Sequence, residues 1–241
     1  MDNIIAFTNE DGTLKDKDEV IENISKLYDT IAEEENRNML TASGEEYFAM
    51  IANSEKHINL ESLYETDNFY QRIIYINQEI NDIIAQKIHQ TIRFYNDIDA
   101  EMPVEDRIPI QIYINTDGGD LDAARCIISA ILVSDTPVYT WNIGKAFSAG
   151  FFILISGHKR FGMPQSSYLL HEGSSAIYAD AHKFFQYTEH YKQLLEELRT
   201  LTLDHTKITG SYYDSQKPND VWFMADKALE LGVIDMVADF I

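Results

Sequence analysis

Ile110-Gln111-Ile112-Tyr113-Ile114-Asn115-Thr116-Asp117-Gly118-Gly119-Asp120 reads as a strand, a tight turn and the start of a helix. The β-branched residues at every second position suit a pleated ribbon. The paired glycines end it, and Asp120 is placed to cap a helix whose apolar face carries Ala123, Ala124, Ile127, Ile128 and Ile131. Upstream, Arg72–Ile76 has strand character, and Ile80, Ile83, Ile84, Ile88 and Ile92 then mark a helix. Downstream, Pro137–Trp141 is a third strand, and Gly144 is expected to open a loop into an apolar helix starting at Ser148. Short strands follow at Arg160–Met163 and Ser167–Leu170, then a long helix over Ala179–Thr206. Strands alternating with helices in this way predict an α/β domain built from β-α-β units.

The composition limits what such a domain does. The chain has 241 residues, 45% of them hydrophobic, enough to bury a substantial core. Its 40 acidic residues against 19 basic give a net charge of −21. That charge repels phosphate backbones and argues against a nucleic-acid partner. The single Cys126 offers neither an internal disulfide nor a thiolate cage. The most apolar run, Ala149–Ile155, is far too short to span a bilayer, and Met1-Asp2-Asn3 opens without a secretory pattern. A soluble cytoplasmic protein with no membrane contact is the expectation. Residues 1–70 carry 17 acidic and 5 basic side chains and contain Val20, Ile21, Ile24, Leu27, Tyr28 and Ile31 at helical spacing. A second short helix is expected around Tyr47, Phe48 and Ile51. We divide the chain into an acidic, mostly helical extension, 1–69, and an α/β domain, 70–241.

Chemistry concentrates at three points. In Gly144-Lys145-Ala146-Phe147-Ser148-Ala149-Gly150 a serine stands where a strand hands over to a buried helix. Free backbone N–H groups there suit a developing oxyanion, and a plain N-cap role for Ser148 fits the position equally. Ala146 replaces the first glycine of the G-x-S-x-G elbow. Gly118-Gly119 exposes backbone donors, or simply makes a turn. His171 ends the apolar strand Tyr168-Leu169-Leu170, while His182, His190 and His205 fall on a polar helix and are expected at the surface. The eight-residue separation of His182 and His190 is not H-E-x-x-H, so no metal site is expected. Asp220 precedes the apolar Val221-Trp222-Phe223-Met224-Ala225, where a carboxylate can orient an imidazole or merely end a turn.

In combination these segments resemble the ClpP caseinolytic serine peptidases. Ile112–Gly119 resembles that family's Y-I-N-S-P-G-G turn, and Gly144–Gly150 its G-x-A-x-S-M-G nucleophile loop. Lys159–Pro164 with His171 is similar to K-R-x-x-L-P…I-H, and Asp220–Ala228 with Gly232-Val233-Ile234-Asp235 to the closing D-x-x-F…G-L-I-D. The match runs in order over about residues 70 to 238. It implies a crotonase-type β-α-β spiral whose long handle helix joins two seven-membered rings, a tetradecamer. It implies Ser148 as nucleophile, His171 as base and acid, Asp220 as orienting carboxylate, and the N–H groups of Gly119 and Ala149 as oxyanion hole. It further implies unfolded polypeptide as substrate and an AAA+ unfoldase as partner, with no cofactor in this chain and ATP entering only through that unfoldase. The handle stripe Phe184, Tyr187, Tyr191, Leu194, Leu195 and Leu198 serves either ring contact or the monomer's own core. Asp117 stands in place of the family's proline, Ala149 in place of its methionine, and Glu172–Ala176 departs after the histidine. Two other readings share the fold: a catalytically idle scaffold or regulatory subunit, and a crotonase-type acyl-CoA enzyme.

Overall fold

The computed structural model describes residues 68–69, 71–173, 177–178, 180–217 and 219–238. The two helices expected before residue 60, and nearly all of the 1–69 extension, lie outside the described residues. Strands β1 (Ile73–Ile76), β2 (Ile110–Thr116), β3 (Val138–Phe147) and β4 (Lys159–Gly162) pair side by side in that order, all parallel. A short β7 (Met236–Val237) adds beyond β4. Helices α1 (Asp82–Ile98), α2 (Leu121–Leu132) and α3 (Ala149–Ile155) make the three connections between these strands. Parallel neighbours need such crossovers, because a tight hairpin cannot return the chain in the same direction.

Period-two patterning sorts the sheet faces. In β2, Ile110, Ile112 and Ile114 are fully buried, while Gln111 and Tyr113 on the other face are half-buried. The isoleucines join Ile84, Ile88 and Ile92 of α1 and Ile127 and Ile131 of α2 in one core. Across the opposite face, Tyr75, Tyr113, Trp141 and Phe161 stack ring on ring over β1 to β4, at centroid distances of 5.3, 5.6 and 4.0 Å. Where the chain enters β1, Arg72 pairs with the buried carboxylate of Asp99 at the end of α1, and Thr136 Oγ1 donates to the same group at 2.9 Å.

The sheet forks within β3. Tyr139–Asn142 pairs with β4, whereas Lys145–Phe147 pairs in parallel with β5 (Ser167–Leu170). The loop expected from Gly144 is therefore corrected: residues 144–147 continue the strand, because β5 supplies their ladder partners. β5 pairs antiparallel with β6 (Val221–Met224) on its other side. Asn142 sits at the fork and is fully buried. Its Nδ2 donates to Ser167 O at 2.9 Å, and its Oδ1 accepts from Gly144 N at 3.1 Å. One amide thus satisfies a carbonyl and an N–H that the diverging strands leave behind.

The long helix α4 spans Ala181–His205, capped by the Asp180 side chain, which accepts from Lys183 N. Its apolar stripe divides: Leu194 and Leu198 are buried, whereas Phe184 and Tyr187 nearer its start are exposed, as is Phe185 beside them. Of the histidines expected at the surface, His182 and His190 are exposed, but His205 is half-buried. Two further short helices, α5 (Gly210–Gln216) and α6 (Ala225–Glu230), flank β6. Among the described residues no helix is long and apolar enough to cross a membrane.

Removing the amide in Asn142→Ala strands both partners, each costing about 1–3 kcal/mol where buried. A fall in unfolding free energy of about 2 kcal/mol, at unchanged urea m-value, is expected; a change within about 0.5 kcal/mol contradicts the role. The hydrogen bonds from Arg72, with help from Thr136, hold the Asp99 carboxyl below the usual carboxylate range despite its burial. Its stabilisation is complete above the unfolded value of about 3.9 and is lost as pH falls through the lower folded value. Asp99→Asn should therefore be less stable than the parent at neutral pH, with the gap closing as pH drops below about 4.

Candidate active site

The hydrogen-bond registers of three strands bring the candidate residues together. Phe147 pairs with Leu169 across the parallel β3–β5 ladder, so the next residue, Ser148, emerges beside the end of β5; its N–H donates to Leu169 O at 3.0 Å. On the other side of β5 the antiparallel register with β6 ends at Leu170↔Val221. One further step sets His171 opposite Asp220, and there the His171 Nδ1 and Asp220 Oδ1 lie 3.5 Å apart. β5 is the shared neighbour that carries the imidazole between serine and carboxylate.

Ser148 has φ +54° and ψ −120°, a conformation L-residues seldom adopt. It occupies the N-cap position of α3, yet its side chain accepts no capping bond. The sharp turn leaves the hydroxyl out of the helix's own bonding. Directly against it lies the turn after β2. Gly118, at φ +109°, approaches so closely that a Cβ there would stand 2.8 Å from Ser148 Cβ and 2.9 Å from Phe147 O. Gly119, at φ +148°, is similarly pressed on Ile80, where a Cβ would meet the carbonyl oxygen at 2.3 Å. Only glycine fits either place.

The turn is held from below by the segment after β1. Ile80 N donates to Gly118 O and Asp120 N to Ile80 O, both at 2.9 Å. Thr116 Oγ1 donates to Gln78 O at 2.6 Å and accepts from Gly118 N at 3.1 Å. Those bonds use the N–H groups on either side and leave Gly119 N and Ala149 N without a protein acceptor among the described residues. Asp117, beside the turn, pairs with Lys145 of β3 at 2.6 Å; both ends are open to solvent, so the pair adds little energy while linking the two backbones.

Gly119, Ser148, Ala149 and His171 line a single cavity of about 330 Å3, walled on its apolar side by Phe152 and by Leu194 of α4. Asp220 lies outside that lining, with its side chain 59% exposed. The His171 Nε2 is buried and has no hydrogen-bond partner among the described residues, so it is not bonded to the serine hydroxyl. The structure thus gathers all five residues singled out in the sequence around one site, with the serine–imidazole contact open. Sequence reasoning missed the supports: Asn142, Thr116 and the backbone of Ile80. A lone amide in the apolar run Val138–Ile143 was the available signal for Asn142.

This is a serine-bearing strand-to-helix elbow on a forked, mainly parallel α/β sheet, the architecture of a Clp-type protease. The sequence matches the family described as Clp protease over residues 59–240. It is 31% identical to the ATP-dependent Clp protease proteolytic subunit 2 of Rhodococcus jostii, over 73% of this chain and 88% of that protein. Identity to the proteolytic subunit 2 of Corynebacterium diphtheriae is 30%, covering 78% and 93%. For proteolytic subunit 1 of Mycobacterium tuberculosis it is 27%, covering 74% and 90%. The chain belongs to the Clp protease family, and its α/β architecture is the ClpP/crotonase-like fold.

Gly118→Ala tests the close approach of turn to elbow. The added methyl must displace Ser148 or the Phe147 carbonyl, and a displacement near 1 Å costs about a hundredfold in rate. Reaction of Ser148 with a fluorophosphonate should slow by about that factor while the melting temperature shows the domain still folded. An unchanged labelling rate contradicts the packing described.

Proposed function

We propose that this chain is a serine endopeptidase that cleaves unfolded polypeptide inside a ring-shaped oligomer. The observation that carries the reading is the triple register β3–β5–β6, which assembles Ser148, His171 and Asp220 from three separate segments beside two unengaged N–H groups. In the reaction His171 Nε2 takes the Ser148 hydroxyl proton as Oγ attacks the scissile carbonyl. Asp220 holds the Nδ1–H tautomer and stabilises the imidazolium. The N–H groups of Gly119 and Ala149 receive the oxyanion, and the imidazolium then returns its proton to the leaving amine. Water repeats the sequence on the acyl-enzyme. The missing Nε2–Oγ bond fits a catalytic contact that tightens when substrate fills the cavity.

The exposed Phe184 and Phe185 on α4 support self-association, since large apolar side chains on a helix face favour burial against another copy, and the Clp protease family membership supports seven-membered rings paired as a tetradecamer as its form. The relatives are named as ATP-dependent proteolytic subunits, which supports an AAA+ unfoldase as partner and the sole route by which ATP enters. The open serine–imidazole contact also favours a second reading, an idle scaffold subunit. The same experiment separates the two.

Assembled wild-type protein treated with a fluorophosphonate should be modified at Ser148, found by peptide mapping, and should hydrolyse an unfolded casein. Ser148→Ala should lose turnover on the order of 10⁶-fold. An unmodified Ser148 in folded, assembled protein contradicts the proposal.

A further inference from the structure

Two buried side-chain polar atoms stand without a hydrogen-bond partner among the described residues: His171 Nε2 and the Tyr213 hydroxyl. Native structures leave few such groups, and each calls for a physical account. The two side chains meet at one small cavity of about 10 Å3. That is roughly the space one water molecule fills. Leu170, His171 and Glu172 form one wall, and Tyr213, with Gln216 and Lys217, forms another. Asn219 and Val221, the two neighbours of Asp220, close it. Gly119, Ser148 and Ala149 line the larger cavity and not this one, while His171 and Glu172 border both.

Tyr213 is only 3% exposed, so its hydroxyl cannot satisfy itself in bulk solvent. Burial pushes its pKa up to about 12; the carboxylates of Glu172, Glu196 and Asp214 act in the same direction, and Arg199 opposes them. The group is thus a neutral O–H donor across the whole range in which an imidazole changes charge. It is also rigidly placed. α5 is tied to α4 through Asp214, which receives two 2.9 Å hydrogen bonds from Arg199, and Lys217 at the end of α5 reaches Asp214 at 3.3 Å.

We propose that Tyr213 is a positioning residue of the active site: its hydroxyl donates to a water held in this cavity, and that water donates to His171 Nε2 and keeps Nδ1 turned to Asp220 until the Ser148 hydroxyl takes its place. The arrangement compensates for a loose direct contact. At 3.5 Å the Nδ1–Oδ1 approach is beyond a good hydrogen bond, and an exposed Asp220 alone fixes the ring weakly. The inference rests on the reading of His171 as the base, and its test keeps the two apart.

Tyr213→Phe keeps the ring and removes only the hydroxyl. Three readouts are taken on the assembled protein: fluorophosphonate labelling rate of Ser148 against pH, melting temperature, and NMR titration of the His171 ring. If the hydroxyl holds a bridging water, the variant should melt lower, label about tenfold more slowly, and show a displaced His171 titration and acid limb. If the hydroxyl is idle, removing an unsatisfied buried polar group leaves melting equal or higher, and labelling and titration match the parent; that overturns the proposal. A lower melting temperature with parental labelling and titration shows a structural hydroxyl only, and also overturns it. Should wild-type Ser148 fail to label at all, the peptidase reading falls, and the His171 titration alone decides on Tyr213: a displaced curve upholds the water link, and an identical curve refutes it.

Discussion

A single short strand, β5, carries the constraint on which the site depends. It is the parallel neighbour of the second half of β3 and the antiparallel neighbour of β6. Side chains at the ends of three hydrogen-bonded strands have their separations set by the ladder, since register is quantised in whole residues. A slip of one residue between β5 and β6 would remove His171 from Asp220 and turn the β5 side chains to the wrong face. The sheet is therefore the device that converts residues 148, 171 and 220, far apart in sequence, into neighbours.

The fork in β3 exists to free β5 for this purpose. If β3 kept pairing with β4 along its full length, its last residues would have no edge to offer. Asn142 stabilises the divergence by bonding both sides of the split, and the Ser166 and Tyr168 hydroxyls meet at 2.9 Å beneath it. At the tip the backbone of Ser148 is held in a sparsely populated conformation, which costs about 1–3 kcal/mol and persists only when surroundings over-determine it. Here the bond to Leu169, the pressure of Gly118 and the buried helix α3 supply that constraint.

Much of this was legible in the sequence because local signals and global fold agree. The alternation in Ile110–Ile114, the glycine pair and the Asp120 cap each specify the same strand, turn and helix. The five site residues were singled out through the resemblance to the Clp peptidases, because residue type alone left Ser148 as a plain N-cap and Asp220 as a turn residue equally open. The continuation of β3 through Gly144-Lys145 was not legible, because glycine and lysine depress strand propensity and only the partner strand rescues them. The short α5 was likewise hidden: Gly210–Gln216 is polar, and only Tyr213 of that helix is buried. That Phe184 and Tyr187 of the apolar stripe on α4 stay exposed could not be read from its spacing, since periodicity shows a face without showing what covers it.

The most direct test of the account is a crystal structure of the assembled protein after phosphonylation of Ser148. A phosphonyl oxygen is expected within about 2.7–3.1 Å of both Gly119 N and Ala149 N, with His171 Nε2 turned to the modified Oγ and Asp220 still at Nδ1. An adduct whose oxygen points to solvent, or an imidazole remote from Oγ, would contradict it.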